Sequence, residues 1–497
     1  HDVNGNLSSK WNGGIFFDIK ATVEGGKLEG IPTKYDDILI EGCTIERVDR
    51  SAIKLIDSDW ANQSLINKPG VPIHWYPSTN VVVRGNTMDM IGGDGITVRD
   101  TDGALIEYNL ARDCRYQDTG YNAGIWPFQA SNTVIQYNEV SRTHGTQDGQ
   151  GFDTDHLSSY SVMQYNYSHD NFGGFMLIMN GFPHTGPTIR YNISQNDLDK
   201  TFEFSRGTPS GTMIYNNTIY SENILTGRGG VFDLTNTTAG TGNREIYVFN
   251  NIFHYPEGQK FYCGEVDNMK SKINLYNNAY FGGIDIPLEE ENAITQDPML
   301  QNIGSGPSYN TSDKPIVGAL LKGELDGYKL TNNSPLIDKG VTVQEVIAKF
   351  GGTETDYRTL SPYDLHELAK QGESIDFSVG SHFPSIQGVE YDKDFFGNSL
   401  SSKGSKPDIG AMEFQVDEPI ESQEDEPMDT AGDNTKKEEK LNYNSNSNID
   451  TNNGDDESKI SGLKELPKTG NGFGAVPLVG LLIVATGIKL TARRKIN

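Results

Sequence analysis

The stretch Ile106-Glu107-Tyr108-Asn109 returns along the chain as Ile135-Gln136-Tyr137-Asn138, Met163-Gln164-Tyr165-Asn166 and Ile189-Arg190-Tyr191-Asn192. Looser copies lie on either side: Val83-Arg84-Gly85-Asn86, Ile214-Tyr215-Asn216-Asn217, Val248-Phe249-Asn250-Asn251 and Leu275-Tyr276-Asn277-Asn278. The corresponding Asn residues are 23 to 34 positions apart. The alternation with period two disfavours helical repeats, and a propeller blade needs about 40–45 residues. The repeat therefore predicts an all-β fold, a parallel β-helix (a solenoid), over residues 1–283.

The Asn that ends each copy has a predicted structural role. Its short polar side chain can bond backbone groups and tolerates left-handed dihedral angles, so we expect it at a tight bend. Because equivalent residues of successive turns are stacked, the Asn side chains are also expected to form a ladder.

A second family of strands lies between the copies and is aligned here by its large apolar residues. The residues predicted to face inward are Ile125, Phe152, Phe175, Phe202 and Phe232. Because alternate side chains point to opposite faces, the next residues face outward. They would form one column of Trp126, Asp153, Met176, Glu203 and Asp233. Aromatic and apolar residues beside carboxylates on an outer face indicate a binding surface.

Three carboxylates fall within the segment Gln147 to His156. Asp153 and Asp155 share a strand face, and Asp148 lies on a glycine-rich approach to that strand. Glycoside hydrolysis uses two carboxyl groups, about 5–5.5 Å apart for retention and about 6.5–9.5 Å apart for inversion. Clustered carboxylates also raise one another's pKa, which yields a protonated acid. The same composition would suit a structural Ca²⁺ ion, or Asp residues that only cap turns.

Neighbouring residues complete the predicted site. Trp126 and Phe128 would supply a flat surface for a sugar ring. The remaining residues predicted to contact substrate are His156, Met176, Glu203, Arg206 and Asp233. The histidines near the acidic segment lack the paired spacing of a zinc site. We expect no metal and no other cofactor to be required for the chemistry.

Charge and cysteine content exclude other classes of function. The 497 residues carry a formal net charge of −27, which repels phosphate backbones, so nucleic acid is not an expected partner. The three cysteines are far apart and rule out a disulfide framework. The chain opens at His1 without a signal peptide, so we expect it to be truncated at its N-terminus.

The C-terminal third differs in character from the repeat. Residues 284–415 include Pro298-Met299-Leu300 and Asp408-Ile409-Gly410, which resemble the strands that close bacterial β-helix proteins, so a β-rich cap is expected. Residues 416–465 carry 15 acidic and 5 basic residues and predict a disordered linker.

Residues 466–497 resemble the cell-wall sorting signal of Gram-positive surface proteins. Leu466-Pro467-Lys468-Thr469-Gly470 is followed by a largely apolar run from Phe473 to Leu490 and then by Arg493-Arg494-Lys495. In such signals sortase cleaves between the Thr and the Gly, here Thr469 and Gly470. The apolar run is long enough for a transmembrane segment, and the terminal cations would stay on the cytoplasmic side. We therefore expect an extracellular protein anchored to peptidoglycan; an ordinary membrane anchor is the alternative.

The acidic segment on a β-helix resembles glycoside hydrolase family 136, the lacto-N-biosidases. The resemblance implies a right-handed β-helix enzyme that releases lacto-N-biose (Gal-β1,3-GlcNAc) from lacto-N-tetraose with retention. The family's catalytic pair is two aspartates seven positions apart, as Asp148 and Asp155 are. It implies that Asp148 is the general acid/base, Asp155 the nucleophile and Asp153 a neighbour that tunes pKa or binds a hydroxyl. It also implies a dedicated folding partner.

Two other classes remain open from the sequence. A polysaccharide lyase would use Ca²⁺ held by the Asp cluster and a basic residue, but the outward columns offer few cations and an acidic protein suits uronate polymers poorly. A non-catalytic wall adhesin would bind host glycans without releasing sugar.

Overall fold

The protein is described from a computed structural model. The structure describes residues 13–24, 27–61, 75–117, 120–145, 147–182, 184–226, 229–237, 245–264, 272–287, 290–308, 323–351, 360–370, 383–400, 406–415 and 489–496.

The repeat folds into a parallel β-helix with three sheets, as predicted, because each turn contributes one short strand to each sheet. The first sheet, called the site sheet, contains Gly13–Ile19, Ser51–Ser58, Ile96–Arg99, Ile125–Phe128, Gln150–Thr154, Gly174–Met179, Phe202–Ser205, Gly230–Asn236 and Lys260–Gly264. The second, the tyrosine sheet, contains Thr33–Glu41, Ser78–Arg84, Leu105–Glu107, Val134–Gln136, Val162–Gln164, Thr188–Arg190, Thr212–Tyr215, Ile246–Phe249 and Ile273–Tyr276.

The third sheet contains Thr44–Glu46, Thr87–Asp89, Leu110–Arg112, Glu139–Ser141, Tyr167–His169, Ile193–Gln195, Thr218–Tyr220, Ile252–His254 and Ala279–Phe281. Two further pairings lie beside these sheets. Thr101–Asp102 pairs with Ser78–Arg84 at the tyrosine sheet, and Thr22–Glu24 pairs with Lys27–Glu29 as a small antiparallel ribbon.

The recurring Asn residues form the predicted ladder. Each buried Asn side chain donates from Nδ2 to Oδ1 of the Asn in the next turn, at 2.9–3.1 Å. The ladder runs through Asn86, Asn109, Asn138, Asn166, Asn192, Asn217, Asn251 and Asn278. It ends at Glu290, whose Oε1 accepts from the side chain of Asn278 at 2.9 Å. The amide of each turn therefore fixes the register of the next.

The prediction of left-handed dihedral angles for the ladder Asn was wrong by one position. The residue before it is left-handed, as in Tyr108, Tyr137, Tyr165 and Tyr191 with φ of 47–58°. The ladder Asn makes regular hydrogen bonds, so the bend falls on its neighbour. The left-handed conformation of these tyrosines costs free energy. Stacking of their side chains offsets part of this cost, since the Tyr108 and Tyr137 rings lie 5.0 Å apart and nearly parallel.

The core of the coil is built from the inward residues of all three sheets. Ile125, Phe152 and Phe202 are fully buried there, as predicted. The register at the intervening turn differs from the prediction, because Phe152 and Phe202 both pair with Met176 rather than with Phe175. Phe175 precedes Met176 in the same strand, and its ring is also buried, 5.6 Å from that of Phe202.

Residues 284–415 do not form the predicted β-rich cap in the part that the structure describes. They form isolated bridges, a short 3₁₀ turn (Asp326–Tyr328) and two helices, α1 (Val343–Phe350) and α2 (Pro362–Lys370). The α1 helix begins with a capping box between Thr342 and Glu345.

This region packs along the side of the coil against the tyrosine sheet. Buried residues of both parts, among them Tyr165 and Phe395, belong to one apolar cluster. The hydroxyl of Tyr165 donates to the Lys393 carbonyl at 2.7 Å, and that of Tyr167 donates to the Pro307 carbonyl at 2.7 Å. Because the tyrosine hydroxyls find backbone partners, the outer face of the sheet is covered without leaving buried donors unsatisfied.

The predicted linker and residues 466–488 of the predicted sorting signal, including Thr469 and Gly470, lie outside the described residues. Only the end of the apolar run, Lys489 and Leu490, is described, at the start of a strand Lys489–Ile496 that pairs antiparallel with Thr33–Glu41. In the described part of the chain, no helix combines the length and apolar character needed to cross a bilayer.

The ladder generates a first prediction. Asn166→Ala removes a side chain that donates to Ile135 and Asn192 and accepts from Asn138. Buried partners would lose their hydrogen bonds, so the free energy of unfolding should fall by roughly 3 kcal/mol. Denaturant melts would measure it. Asn223→Ala, at an exposed Asn outside the ladder, is the control and should change stability by less than about 0.5 kcal/mol. Equal losses in both variants would contradict the role of the ladder.

A buried imidazole lies on the third sheet between two carboxylates. His169 is fully buried, with Nε2 2.9 Å from Glu139 Oε1 and Nδ1 2.8 Å from Asp170 Oδ2. Burial alone would lower the pKa of His169, but the hydrogen bonds and charges of the two carboxylates raise it to about 9. The sequence placed His169 among the residues flanking the acidic segment; its structural role is that of a buried cation.

A second prediction follows from this raised pKa. The stabilisation from charged His169 should be fully present below its unfolded pKa of about 6.5 and lost as pH rises through about 9. The free energy of unfolding of the wild type should therefore exceed that of His169→Gln by up to about 3 kcal/mol at pH 6. This difference should shrink as the pH is raised toward 10. Urea melts across this range would measure it, and a difference that grows with pH would contradict the assignment.

Candidate active site

The backbone of the coil fixes the position of Asp148. Asp148 and Gly149 are both left-handed, with φ of 88° and 89°. The Gly149 N–H donates to the Asn122 carbonyl at 2.9 Å in the preceding turn, and its carbonyl accepts from Gly173 at 3.0 Å in the following turn. A Cβ at Gly173 would lie 2.1 Å from the Asp148 carbonyl oxygen, so glycine is required there. The approach that carries Asp148 is thus held between two neighbouring turns.

Asp153 and Asp155 continue from the strand Gln150–Thr154 in the middle of the site sheet. Asp153 is 4% exposed, and its Oδ1 has no hydrogen-bond partner. Asp155 follows the end of the strand, where its side chain is 14% exposed. Its Oδ1 accepts from the His156 backbone N–H at 2.6 Å. The Asp155 carboxylate is therefore oriented and accessible, and it lies beside the buried carboxyl group of Asp153.

Glu203 adds a fourth carboxylate from two turns further along. The strand register aligns Asp153 with Leu177 and Leu177 with Glu203. The Glu203 Oε2 lies 2.9 Å from the Lys200 Nζ, and it accepts from Gln150 Nε2 at 2.7 Å. Lys200 is itself buried. Glu203 is therefore held in place by an ion pair and a hydrogen bond.

The cluster gives Asp148 the character of an acid. Burial raises the pKa of Asp148 well above its usual range. The negative charges of Glu203 and Asp155 raise this pKa further, while Arg115 and Lys200 act against them. A raised pKa of this kind favours the protonated form of Asp148, as a general acid requires.

Asp153 is the most deeply enclosed member of the cluster. Burial raises its pKa well above the usual range, and the charge of Asp155 is the next largest cause, followed by that of Asp148. The negative charges of its neighbours thus add to burial in favouring the protonated form of Asp153.

Trp126 and Phe128 lie beside the carboxylates, as predicted. Trp126 is 8% exposed, and its indole N–H donates to Asp94 Oδ1 at 3.1 Å. Phe128 is half-buried, and the Arg99 guanidinium lies 4.6 Å from its ring centroid. The two aromatic rings meet edge to face at 6.0 Å. The hydrogen bond to Asp94 thus fixes the orientation of the Trp126 indole ring.

His156 and Arg206 are brought together at the end of the sheet nearest Asp155. A Cβ at Gly181 would lie 2.3 Å from His156 Cε1 and 2.8 Å from Arg206 Cδ, so both side chains pack against this glycine. The His156 ring also meets Phe182 edge to face at 5.5 Å. Arg206 is exposed. These residues form a rim on the Asp155 side.

Met176 and Asp233 were both predicted to contact substrate, but the structure buries both side chains. Met176 faces the core and is fully buried, so the prediction that it lies in the outward column was wrong. Leu177 occupies that position instead. Asp233 does pair with Glu203 in the outward column, but it is fully buried and accepts from the Thr235 N–H at 2.8 Å.

Sequence reasoning missed three polar residues that organise the site. Asp94, Gln150 and Lys200 each precede an inward residue, Ile96, Phe152 or Phe202, by two positions. All three are buried. An alignment of the turns that extended to two residues before the inward position would have shown that polar residues recur there. It would not have shown which groups they bond.

Groups of three or more His, Cys, Asp or Glu with an arrangement that could hold a metal ion are absent among the described residues. The expectation that no metal or other cofactor is required for the chemistry stays a prediction, and a structural Ca²⁺ ion stays an alternative.

Comparison with known proteins adds to the geometry. A family model described as a right handed beta helix region matches residues 62–219. The coil is therefore the right-handed parallel β-helix that was expected. The chain is also 30% identical over 456 residues to a lacto-N-biosidase of Bifidobacterium longum subsp. longum.

That alignment covers 84% of this chain and 25% of the relative, so the chain spans about a quarter of the curated protein it matches. Among solved structures, a GH136 lacto-N-biosidase from Eubacterium ramulus is 23% identical with a TM-score of 0.34, covering 50% of this chain and 36% of that chain. XylC in complex with xylose is 14% identical with a TM-score of 0.43, covering 81% and 64%.

A third prediction concerns the charge that acts on Asp148. Glu203→Gln removes the largest charge effect that raises the pKa of Asp148. If Asp148 acts as the acid, activity is lost as pH rises through its pKa, so this basic limb should move to lower pH in the variant. Profiles of kcat/KM against pH would measure the shift. Asp233→Asn, one turn further, is the control and should shift the limb less. An unmoved or upward-shifted limb in Glu203→Gln would contradict the prediction.

Proposed function

We propose that this protein is a glycoside hydrolase that cleaves with retention, with Asp148 as general acid/base and Asp155 as nucleophile. The observation that carries the proposal is the carboxylate cluster on one face of the coil, in which Asp148 has a strongly raised pKa and Asp155 is oriented and accessible. Two carboxyl groups with opposite protonation are what glycosidic cleavage requires.

The proposed reaction has two steps. Protonated Asp148 donates to the glycosidic oxygen while an Asp155 oxygen attacks the anomeric carbon, so the leaving sugar departs as an alcohol and a glycosyl ester forms. Asp148, now ionised, then removes a proton from water, which attacks the same carbon and releases Asp155. Protons and charges balance over the cycle, and no further reactant is needed.

The surrounding groups would set the charges for both steps. Lys200 and Gln150 hold the Glu203 carboxylate in place through an ion pair and a hydrogen bond. The negative charge of Glu203 opposes loss of the proton from Asp148, and it therefore favours reprotonation of Asp148 at the end of the cycle. Buried Asp153, with an oxygen free of hydrogen bonds, would donate from its protonated carboxyl to Asp155 or to a sugar hydroxyl.

The proposed substrate is a neutral oligosaccharide of the Gal-GlcNAc type, from which lacto-N-biose would be released. Support comes from the similarity to a protein named lacto-N-biosidase over most of this chain. Trp126 and Phe128 give a largely apolar side to a surface that is otherwise acidic, which suits an uncharged sugar better than a uronate.

The activity is tested by incubating the protein with lacto-N-tetraose and identifying the sugars released. Lacto-N-biose and lactose are expected. Unsaturated product from pectin or alginate, detected by ultraviolet absorbance, would support the lyase instead. Glycan binding without release of any sugar would support the adhesin.

We also propose, from the sequence alone, that the protein is anchored to peptidoglycan by sortase. The support is the pentapeptide Leu466 to Gly470 with the apolar run and cations that follow it. Sortase with a glycine nucleophile should cleave between Thr469 and Gly470, and Thr469→Ala should block this. A dedicated folding partner stays a proposal by resemblance; refolding yields with and without the candidate partner would test it.

A fourth prediction separates the two catalytic roles. Asp155→Ala should abolish turnover of every substrate, because the nucleophile acts in both steps. Asp148→Gly, which also suits the left-handed backbone at φ 88°, should fail on the natural glycan but retain cleavage of an aryl glycoside with an acidic phenol. Added azide should restore turnover of Asp148→Gly as the β-glycosyl azide, identified by NMR.

Other outcomes would reassign the site. If Asp153→Ala is inactive while Asp148→Gly is close to wild type, the working pair is Asp153 with Asp155. Retention of more than about a tenth of the activity in all three variants, a loss of only ~1.4 kcal/mol, would place the site elsewhere.

A further inference from the structure

Exposed aromatic residues concentrate at the corner of the coil that carries Asp148. Among the described residues, eight large apolar side chains are classed as exposed: Ile31, Tyr108, Tyr116, Tyr121, Phe172, Ile224, Ile286 and Met299. Three of them, Tyr116, Tyr121 and Phe172, belong to corners between the third sheet and the site sheet, in the turns before and after the one that carries Asp148. Exposed aromatic side chains grouped on an acidic surface indicate a binding site.

The register places two of these aromatics on either side of Asp148. Ile125 pairs with Phe152, and counting back four residues aligns Tyr121 with Asp148. Gln150 pairs with Gly174, and the preceding residue Gly173 lies against the Asp148 carbonyl, so Phe172 is the next residue along that turn. The hydrogen bonds of Gly149 to both neighbouring turns confirm this alignment at the next position.

Tyr121 and Phe172 are therefore one turn before and one turn after the proposed acid, about 4.8 Å from it along the stack. They are 59% and 40% exposed. A carboxyl group with an exposed ring on each side along the coil is a binding surface centred on that carboxyl group.

Neighbouring side chains hold both rings in place. The Gln147 Nε2 donates to the Tyr121 hydroxyl at 3.1 Å. The Phe172 ring stacks on His144 at 5.0 Å with an angle of 16°, and His144 in turn meets Tyr116 edge to face at 5.6 Å. The platform is thus partly organised before any ligand arrives, which reduces the entropy lost on binding.

We propose that Tyr121 and Phe172 bind the leaving-group part of the glycan, the sugar that departs when Asp148 protonates the glycosidic oxygen. The inference rests on the proposed function, in which the acid lies next to the leaving sugar. A pyranose with an apolar C–H face is the class of ligand that stacks on such rings. The residues on the Asp155 side, Phe128, His156 and Phe182, are then left for the sugar that is released from the ester.

The test compares two substrates with the same glycone. Lacto-N-tetraose has a sugar leaving group, whereas β-lacto-N-biosyl fluoride has one too small to reach either ring. The Tyr121→Ala/Phe172→Ala double variant should lose roughly 10- to 100-fold in kcat/KM on lacto-N-tetraose. Its kcat/KM on the fluoride should stay within about twofold of wild type. Tyr121→Phe with Phe172→Tyr should restore most of the loss.

Tyr108→Ala, which removes an exposed tyrosine from the tyrosine sheet, is the matched control and should leave both substrates unaffected. Equal losses on both substrates, or no loss on lacto-N-tetraose, would overturn the inference. Failure of the wild-type protein to cleave either substrate would instead overturn the proposed function. Melting temperatures within about 2 °C of wild type would show that the double variant is folded.

Discussion

The hydrogen bond from one buried asparagine to the next is the interaction on which the rest of this structure depends. In a coil of short strands each turn has few contacts of its own, and its register must be set by the turn before it. The amide supplies an acceptor for the preceding turn and a donor for the following one, from Asn86 to Asn278. A one-residue slip would leave a buried amide unsatisfied and would exchange inward and outward side chains.

A fixed register is also what assembles the candidate site. Asp148, Asp153 and Asp155 come from one turn, and Glu203 comes from two turns later, yet all four act electrostatically on one another because the turns are stacked. Lys200 is paired with Glu203 and is buried with it. Burial and the neighbouring negative charges raise the pKa of Asp148 and of Asp153, which gives the acid that the proposed chemistry needs.

The spacing of the repeat predicted the β-helix, the Asn ladder and the face that carries the acidic segment. It failed at the turn that contains Gly174, where Phe175 was aligned with Phe152 by residue type. The structure aligns Met176 there, and Phe175, the residue before it in the strand, also packs in the core and interrupts strict alternation. Residue type could not reveal this, since both side chains are apolar and both are buried.

The sequence by itself determined the period of the coil, its core residues and the local cluster of three aspartates, because these depend on short-range alternation and on neighbours along the chain. Only the tertiary structure decided that Glu203, Lys200 and Gln150 meet, that Asp94 holds Trp126, and that Tyr121 and Phe172 lie on either side of Asp148. The physical reason is that, apart from the pair Lys200–Glu203, these contacts cross between turns, with partners 24 to 53 residues apart in the sequence. Their partners depend on loop lengths at each corner, and the packing of the whole coil sets those.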